Sequence, residues 1–148
     1  MSDPKYDPLK LENQLCFPLY ACSKEVIRKY RPYLESFDLT YTQYITMMVI
    51  WEQKKINVKE LGKKLYLDSG TLTPVLKSLE SKGYITRRRC QNDERVLYAK
   101  ITPEGEQLRD QMLHIPHELS GCVKLTPDEA LTFYHLLYKV LNGLHDEN

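Results

Sequence analysis

Helix signals and strand signals follow one another closely between residues 57 and 101, and this segment limits the possible folds most. Asn57 with a glutamate three residues later is a capping-box pattern, which predicts a short helix. The turn LDSG follows, and Pro74 is acceptable only in the first turn of a helix. A second helix is therefore expected over about residues 70–82, with Gly83 placed to end it.

Two strand-like runs come next, YITRRRC and VLYAKIT, on either side of the charged stretch QNDER. Short runs rich in β-branched and aromatic residues around a polar tip predict a β-hairpin. Two helices joined by a short turn and followed by a basic hairpin make up a winged helix-turn-helix.

Further helices are expected on both sides of this segment, with prolines and threonines marking their starts. They are a helix over residues 9–35 that Pro18 kinks or delays, a buried helix over residues 41–52 behind a capping box at Thr40, a helix opening at Thr102-Pro103, and a last helix from Thr126-Pro127 to about residue 145.

These elements predict a mainly α-helical chain with a small β-hairpin wing, an α+β fold. Residues 38–102 would form the winged helix-turn-helix lobe, and residues 1–37 and 103–148 a helical dimerisation region of the same continuous domain. The terminal helices carry more apolar surface than a small monomer needs, which favours a homodimer.

The net charge of +1 hides an uneven distribution of charge along the chain. Residues 54–100 carry twelve Lys or Arg and five Asp or Glu, whereas residues 101–148 carry three and eight. A basic segment between neutral and acidic flanks indicates a polyanionic partner.

Several classes of protein are not expected. No apolar run is long enough to span a bilayer, and the polar N-terminus MSDPKYDPLK lacks the apolar region of a signal peptide, so a cytoplasmic protein without a membrane partner is expected. No C-x-x-C pair and no nucleotide or hydrolase motif is present, so neither metal, cofactor nor enzyme activity is expected.

The second helix of the motif would be the recognition helix in a DNA major groove. Short hydroxyls and a lysine near a helix start suit base edges and phosphates, and the candidates are Ser69, Thr71, Thr73 and Lys77. For Ser69 and Thr71, a role limited to capping the helix is equally consistent with the sequence.

The hairpin gives the stronger signal for DNA. Arg87 and its two neighbours alternate along a strand, and Arg95 lies at the tip, where it could enter a narrow A·T-rich minor groove. Asp93 is expected to hold Arg95 or the turn. A solvated charged hairpin is the alternative, but DNA is favoured behind a helix-turn-helix.

The stretches LYLDSGTLTPVLKSLESKGYITR and DERVLYAKITPEG resemble the MarR family of winged-helix regulators, whose wing signature D-x-R matches residues 93–95. Within that family, LENQLCFPLYACS and TYTQY are similar to the OhrR group of repressors that sense organic hydroperoxides. The resemblance runs from residue 11 into the last helix. It implies a homodimeric repressor that leaves a pseudo-palindromic DNA operator when organic hydroperoxide oxidises it.

The resemblance implies that Cys16 is the peroxide-reactive cysteine and that the hydroxyls of Tyr30 and Tyr41 lie near its sulfur, with Tyr20 as a weaker third candidate. Oxidation would give a sulfenic acid, which a second thiol converts to a disulfide. From spacing alone, an inert buried cysteine and ordinary aromatic packing would be favoured.

Some OhrR-like proteins carry a distant resolving cysteine, and others use a low-molecular-weight thiol. Cys122, in the stretch HELSGCVKL, resembles the resolving cysteine by its distance from Cys16. Cys22 is expected to be structural, and Cys90 to be a surface thiol without a redox role.

Three other functions stay open at this point. They are a MarR-type repressor released by a small phenolic or apolar ligand, a thiol peroxidase in which Cys16 turns over, and a winged helix that binds only protein.

Overall fold

The computed structural model describes residues 3–146, whose contacts divide the chain into two compact units, Met1–Ile115 and Pro116–Asn148. The first unit opens with two short 3-10 helices, Pro4–Leu9 and Leu11–Asn13. It continues with α1 (Cys16–Glu35), α2 (Tyr41–Gln53), β1 (Lys55–Asn57), α3 (Val58–Leu65), α4 (Ser69–Ser81), β2 (Ile85–Arg89), β3 (Leu97–Ile101) and α5 (Pro103–Gln111). The short helix α6 (Ile115–Ser120) starts at the boundary, and α7 (Pro127–Asp146) belongs to the second unit.

The first long helix begins later than the sequence predicts. Instead of one helix from residue 9, two 3-10 turns precede α1, whose first residue is Cys16. Pro18 is the third residue of α1 and so lies in its first turn, where the missing proline N–H breaks no helical hydrogen bond. The helix then continues past Pro32 to Glu35.

Helix α2 forms the centre of the first unit, as the sequence predicts. Its capping box is complete: the Gln43 N–H donates to Thr40 Oγ1 over 3.2 Å, and the Thr40 N–H donates to Gln43 Oε1 over 3.0 Å. Tyr44, Met47 and Ile50 are at most 1% exposed.

The helix-turn-helix and its wing are confirmed, but Pro74 is the sixth residue of α4 and lies inside the helix instead of in the predicted first turn. Asp68 caps α4 by accepting the Thr71 N–H over 2.7 Å, and Gly83 follows the helix with a φ of +84°, where a side chain would be strained. Helix α4 buries one face against the lobe through Leu72, Leu76 and Leu79.

The sheet has a third strand that the sequence did not predict. Its order is β1-β3-β2 and all pairings are antiparallel, with Ile56 opposite Ala99 and Arg87 opposite Ala99 on the other side. Strand β1 has only three residues, two of them polar, so it carries no period-2 pattern. Asn57 at its end also caps α3, through the Lys59 N–H rather than through a full capping box.

Gly105 allows α5 to lie close against the rest of the lobe. A Cβ built at this position would lie 2.3 Å from the Tyr84 carbonyl oxygen. The Gly105 carbonyl in turn accepts a hydrogen bond of 2.8 Å from the buried indole N–H of Trp51. Glycine at residue 105 therefore joins α5 to α2 and to the start of the wing.

The second unit contains the C-terminal capping box. The Thr126 N–H donates to Glu129 Oε1 over 2.9 Å, and the Glu129 N–H donates to Thr126 Oγ1 over 3.2 Å, as predicted. The helix expected after Thr102 ends at Gln111, and α6 follows as a separate element. Within residues 3–146, no helix is both long enough and apolar enough to cross a membrane.

Candidate functional site

Helix α4 presents a polar face opposite its buried leucines. Ser69, Thr71, Thr73 and Lys77 are all exposed. The Thr73 hydroxyl donates to the Ser69 carbonyl oxygen over 2.7 Å, so its oxygen remains able to accept a hydrogen bond. The face therefore offers hydroxyls and one ammonium group of the kind that contact base edges and phosphates.

The start of this helix carries a negative charge. Hydrogen bonds from the Thr71 backbone N–H, and then from its side chain, lower the pKa of the Asp68 carboxyl. Asp68 is exposed and ionised at neutral pH, and it accepts one of the N–H groups that a free helix start would offer to a phosphate.

The wing tip holds Arg95 in an oriented, exposed position. Asp93 Oδ1 accepts hydrogen bonds from Arg95 Nε over 3.0 Å and from its backbone N–H over 3.1 Å, while Oδ2 accepts from Nη2 over 3.1 Å. These bonds lower the pKa of the Asp93 carboxyl. The Arg95 side chain is still 91% exposed, so its guanidinium can meet a partner without leaving Asp93.

The Arg87 side chain is bonded within the protein, whereas the sequence predicted that it would be available to contact DNA. It lies on the inner side of the wing, where its guanidinium donates to Glu80 Oε1 over 3.1 and 3.3 Å and its backbone N–H donates to Glu80 Oε2 over 2.8 Å. The Arg87 N–H, followed by its side chain, lowers the Glu80 pKa. Arg87 thus fastens β2 to α4, while Arg88 and Arg89 are exposed.

Sequence reasoning missed Glu80 as a site residue. Its partner is seven residues away and beyond the turn at Gly83, so no helical or strand spacing links the two. Only the fold of β2 against α4 brings them together.

All four cysteines lie in the described part of the chain, and each is a free thiol. Cys16 is exposed at the first position of α1, a helix start that no side chain caps. Cys122 is exposed between α6 and α7, Cys22 is exposed rather than packed inside, and Cys90 is half-buried. Among residues 3–146 no group of three or more His, Cys, Asp or Glu side chains is placed to hold a metal ion.

Tyr30 and Tyr41 lie together, and Tyr44 completes a cluster with them. The ring centroids are 5.0 Å apart for Tyr30 and Tyr41, 5.8 Å for Tyr30 and Tyr44, and 6.3 Å for Tyr41 and Tyr44. Tyr44 was not predicted as a site residue, although its position three residues after Tyr41 places both on one face of α2. Tyr20, in contrast, is 60% exposed.

The cluster keeps its phenols protonated. Burial raises the pKa of Tyr30, and burial together with the neighbouring Tyr30 raises that of Tyr41. Burial, with Tyr30 and Tyr41 adding to it, raises the pKa of Tyr44 to about 12. These hydroxyls are therefore donors at physiological pH.

Cys16 and Tyr30 stand at opposite ends of one helix. Fourteen residues at 1.5 Å each separate them by about 21 Å along α1, which is far beyond the reach of a tyrosine side chain. Within one chain, the structure does not bring the Cys16 sulfur to the Tyr30 hydroxyl.

Both terminal helices present apolar side chains to solvent. Helix α1 buries only Leu34 among its 20 residues. The exposed large apolar residues of α1 and α7 are Phe17, Leu19, Tyr20, Val26, Ile27, Leu131, Phe133, Tyr134, Leu136, Leu137, Tyr138, Val140 and Leu144. Apolar exposure on this scale is typical of an interaction surface.

Comparison with known families gives a match that contains all of residues 38–102 and covers more than half of the chain. Residues 25–112 match the family model described as transcriptional regulator SarA/Rot. The chain is 42% identical to the organic hydroperoxide resistance transcriptional regulator of Bacillus subtilis strain 168, covering 97% of this chain and 98% of that protein. It is 44% identical to the regulator SarZ of Staphylococcus saprophyticus, covering 93% and 94%.

Among solved structures, AbfR of Staphylococcus epidermidis is similar in sequence and in fold. Reduced AbfR bound to DNA shares 34% identity with a TM-score of 0.78, covering 95% of this chain and 98% of that one. AbfR in a disulfide form shares 33% identity with a TM-score of 0.68, covering 95% and 96%.

Proposed function

The chain belongs to the SarA/Rot family of winged-helix transcriptional regulators, a MarR-type family, and we propose that it is a repressor that organic hydroperoxide inactivates at Cys16. Like its family and its relatives, it is a DNA-binding regulator of transcription and not an enzyme. The observation that carries the sensing proposal is Cys16 itself, a free and exposed thiol at the uncapped start of α1.

A homodimer would bind an A·T-rich pseudo-palindromic operator. Two α4 helices related by a two-fold axis would enter successive major grooves about 34 Å apart. Ser69, Thr71, Thr73 and Lys77 would contact bases and phosphates there. Arg95, oriented by Asp93, would enter the adjoining minor groove.

The chain regions 1–37 and 103–148 would supply the dimerisation layer. Their helices α1 and α7 each expose an apolar face that a partner copy would cover. The hydroxyl groups that stabilise the Cys16 thiolate would then come from the partner copy, because about 21 Å of helix lies between Cys16 and Tyr30 of the same chain. Tyr30 and Tyr41, paired at 5.0 Å, would donate to the Cys16 thiolate of the other copy.

The sensing chemistry needs two balanced steps. The Cys16 thiolate attacks an oxygen of the hydroperoxide, the O–O bond breaks, and an alcohol leaves after taking a proton, so that sulfur is oxidised to a sulfenic acid as the peroxide is reduced. A second thiol then attacks that sulfur, a disulfide forms, and water leaves.

The second thiol would be Cys122 of the partner copy or a low-molecular-weight thiol. Cys122 is exposed in the segment between α6 and α7, so it is accessible to an incoming sulfenic acid. AbfR, the structural relative, has been solved in a disulfide form, which supports a disulfide as the oxidised state.

The test is DNA binding before and after addition of cumene hydroperoxide. The DNA is a duplex selected from a random pool by the reduced protein, and binding is measured by fluorescence anisotropy. We expect the wild type to release the duplex on oxidation and Cys16→Ser to hold it. A Cys16→Ser variant that still releases DNA on oxidation would show that the sensor is elsewhere.

Cys22→Ser is the matched control, because Cys22 is an exposed thiol on the same helix and should leave release intact. A non-reducing gel of the same samples identifies the second thiol. A covalent dimer that disappears in Cys122→Ser assigns Cys122. With glutathione added to the oxidation, a mass increase of one glutathione without a dimer, measured by intact-mass spectrometry, assigns a small thiol.

A second candidate is a repressor released by a small phenolic or apolar ligand. A groove of about 750 Å³ between α1, α2 and α4 favours it, with Ile27, Leu34, Leu39, Tyr41 and Arg31 among its lining residues. Release of DNA by salicylate from a protein that is insensitive to peroxide would select this function over the first.

A further inference from the structure

Gln43 joins the start of α2 to the recognition helix. Its side-chain oxygen accepts the Thr40 N–H that completes the capping box, and its side-chain nitrogen donates to Ser78 Oγ on α4 over 2.9 Å. The residue is only 8% exposed. One buried amide therefore both shapes the first turn of α2 and holds α4.

Lys82, just after α4, makes the second connection. Its ammonium donates to Gln43 Oε1 over 3.3 Å and to the carbonyl oxygen of Asp38, and it lies 3.6 Å from Asp38 Oδ2. Asp38 lies in the α1–α2 connection with a φ of +54°, a conformation that aspartate tolerates better than most residues. The C-terminal end of α4 is thereby fixed to the segment between α1 and α2.

The tyrosine cluster is attached to the same segment. Tyr41 directly follows the Thr40 cap and is the first residue of α2, and its ring packs on Tyr30 of α1. A displacement of Tyr41 therefore moves the backbone that the Gln43 and Lys82 side chains tie to α4.

We propose that Gln43, Ser78 and Lys82 are positioning residues that couple the tyrosine cluster to the recognition helix. The proposal rests on the proposed function, because oxidation of the partner copy's Cys16, placed beside Tyr30 and Tyr41, supplies the displacement. With the bonds in place, α4 moves together with the start of α2. Without them, the start of α2 moves while α4 keeps its DNA-binding position.

The size of the effect follows from the number of bonds. Allosteric coupling between two sites ranges from about 5-fold to 150-fold in affinity. The bonds made by Ser78 and Lys82 together should account for roughly a tenfold change in affinity, since each hydrogen bond contributes only modestly. The measured quantity is the dissociation constant for DNA of the oxidised protein divided by that of the reduced protein.

The experiment uses the full chain with Ser78→Ala and Lys82→Met, separately and combined. Both changes leave the Thr40–Gln43 capping box intact, which a change at Gln43 itself would destroy. The matched controls are Ser81→Ala, an exposed serine of α4 without a side-chain hydrogen bond in the described chain, and Lys100→Met, which removes an exposed positive charge of the same lobe.

We expect the combined variant to bind the selected duplex within about threefold of wild type when reduced, and to lose free Cys16 thiol at the wild-type rate with cumene hydroperoxide. Its ratio of dissociation constants should be roughly tenfold smaller than that of wild type. Both controls should keep the wild-type ratio.

The results that overturn the proposal distinguish a failure of the proposed function from a failure of the coupling. If wild type keeps its DNA after Cys16 is oxidised, the proposed function fails and the coupling fails with it. If wild type releases DNA and the combined variant releases it equally, only the coupling is wrong, even when the variant melts at a lower temperature. If the combined variant does not bind when reduced, Ser78→Ala alone decides: a ratio about threefold smaller supports the link, and an unchanged ratio refutes it.

Discussion

Single side chains at the wing show how one residue type takes two roles. Arg95 is held by Asp93 and remains exposed, whereas Arg87 is engaged by Glu80 on the inner side of the sheet. The sequence indicates that alternating arginines cannot all face one way, but not which of them finds a carboxylate. That choice depends on where α4 ends relative to β2, which no local pattern encodes.

Glu80 should make the stability of the lobe depend on pH. Its pKa is lowered below the usual 4.5 in the folded state, first by the hydrogen bond from the Arg87 backbone N–H and then by the Arg87 side chain. These bonds to the charged carboxylate stabilise the protein above about pH 4.5, and their contribution is lost as the pH falls through the lowered value. Glu80→Gln should therefore be less stable at pH 7 by about 0.5 kcal/mol, a small value because the pair is partly screened by solvent.

Urea denaturation at pH 7 and at pH 3.5 measures this difference, which should shrink at the lower pH. Glu60→Gln is the control, because Glu60 is exposed and makes no side-chain hydrogen bond or ion pair in the described chain. An equal loss for Glu80→Gln at both pH values would contradict the assignment of the stabilisation to the charged pair.

At the scale of elements, caps and prolines determine most of the boundaries. Thr40, Thr102 and Thr126 start helices where the sequence predicts them, and Asp68 caps the recognition helix. Local sequence patterns do not predict elements that depend on pairing with distant residues. Strand β1, for example, is defined by its hydrogen bonds to β3. The tyrosine cluster likewise requires α1 to pack against α2. The family resemblance pointed to Tyr30 and Tyr41 as neighbours of a reactive cysteine, and nothing in the sequence pointed to Tyr44.

The close packing of α5 against the rest of the lobe depends on the absence of a side chain at Gly105. Gly105→Ala should destabilise the protein by about 3 kcal/mol, because its Cβ would overlap the Tyr84 carbonyl oxygen and displace the Trp51 hydrogen bond. Urea denaturation measures the loss. Gly143→Ala, with no atom within 4 Å of its new Cβ, should instead be neutral or gain up to about 1 kcal/mol. Equal stabilities for the two variants would refute this role of Gly105.

At the scale of the whole molecule, the proposed function requires two copies. The apolar faces of α1 and α7 follow from sequence, since leucine, valine and aromatic residues recur along both helices. Which copy contributes which side chain to the sensor does not follow, because a sequence contains no distances between chains. The length of α1 separates Cys16 from Tyr30 of the same chain, and for this reason the proposal places the two in different copies.

Val140→Glu should convert the protein to a monomer, because it places a charge on the exposed apolar surface of α7. Sedimentation equilibrium should give half the mass of the wild-type protein, and DNA affinity should fall about a hundredfold, since each half-site is then bound alone. Lys139→Glu, the neighbouring change of charge at an exposed polar position, should remain dimeric. A dimeric Val140→Glu would exclude this part of α7 from the interface.

The ionised Asp68 at the start of α4 has a consequence for how the protein searches a genome. A carboxylate at the leading end of this helix repels the phosphates of every duplex, so it weakens the part of DNA binding that does not depend on sequence. At a matching site, the proposed hydrogen bonds to bases would offset that repulsion. The same side chain that begins the helix would thus shorten the time spent on unrelated DNA.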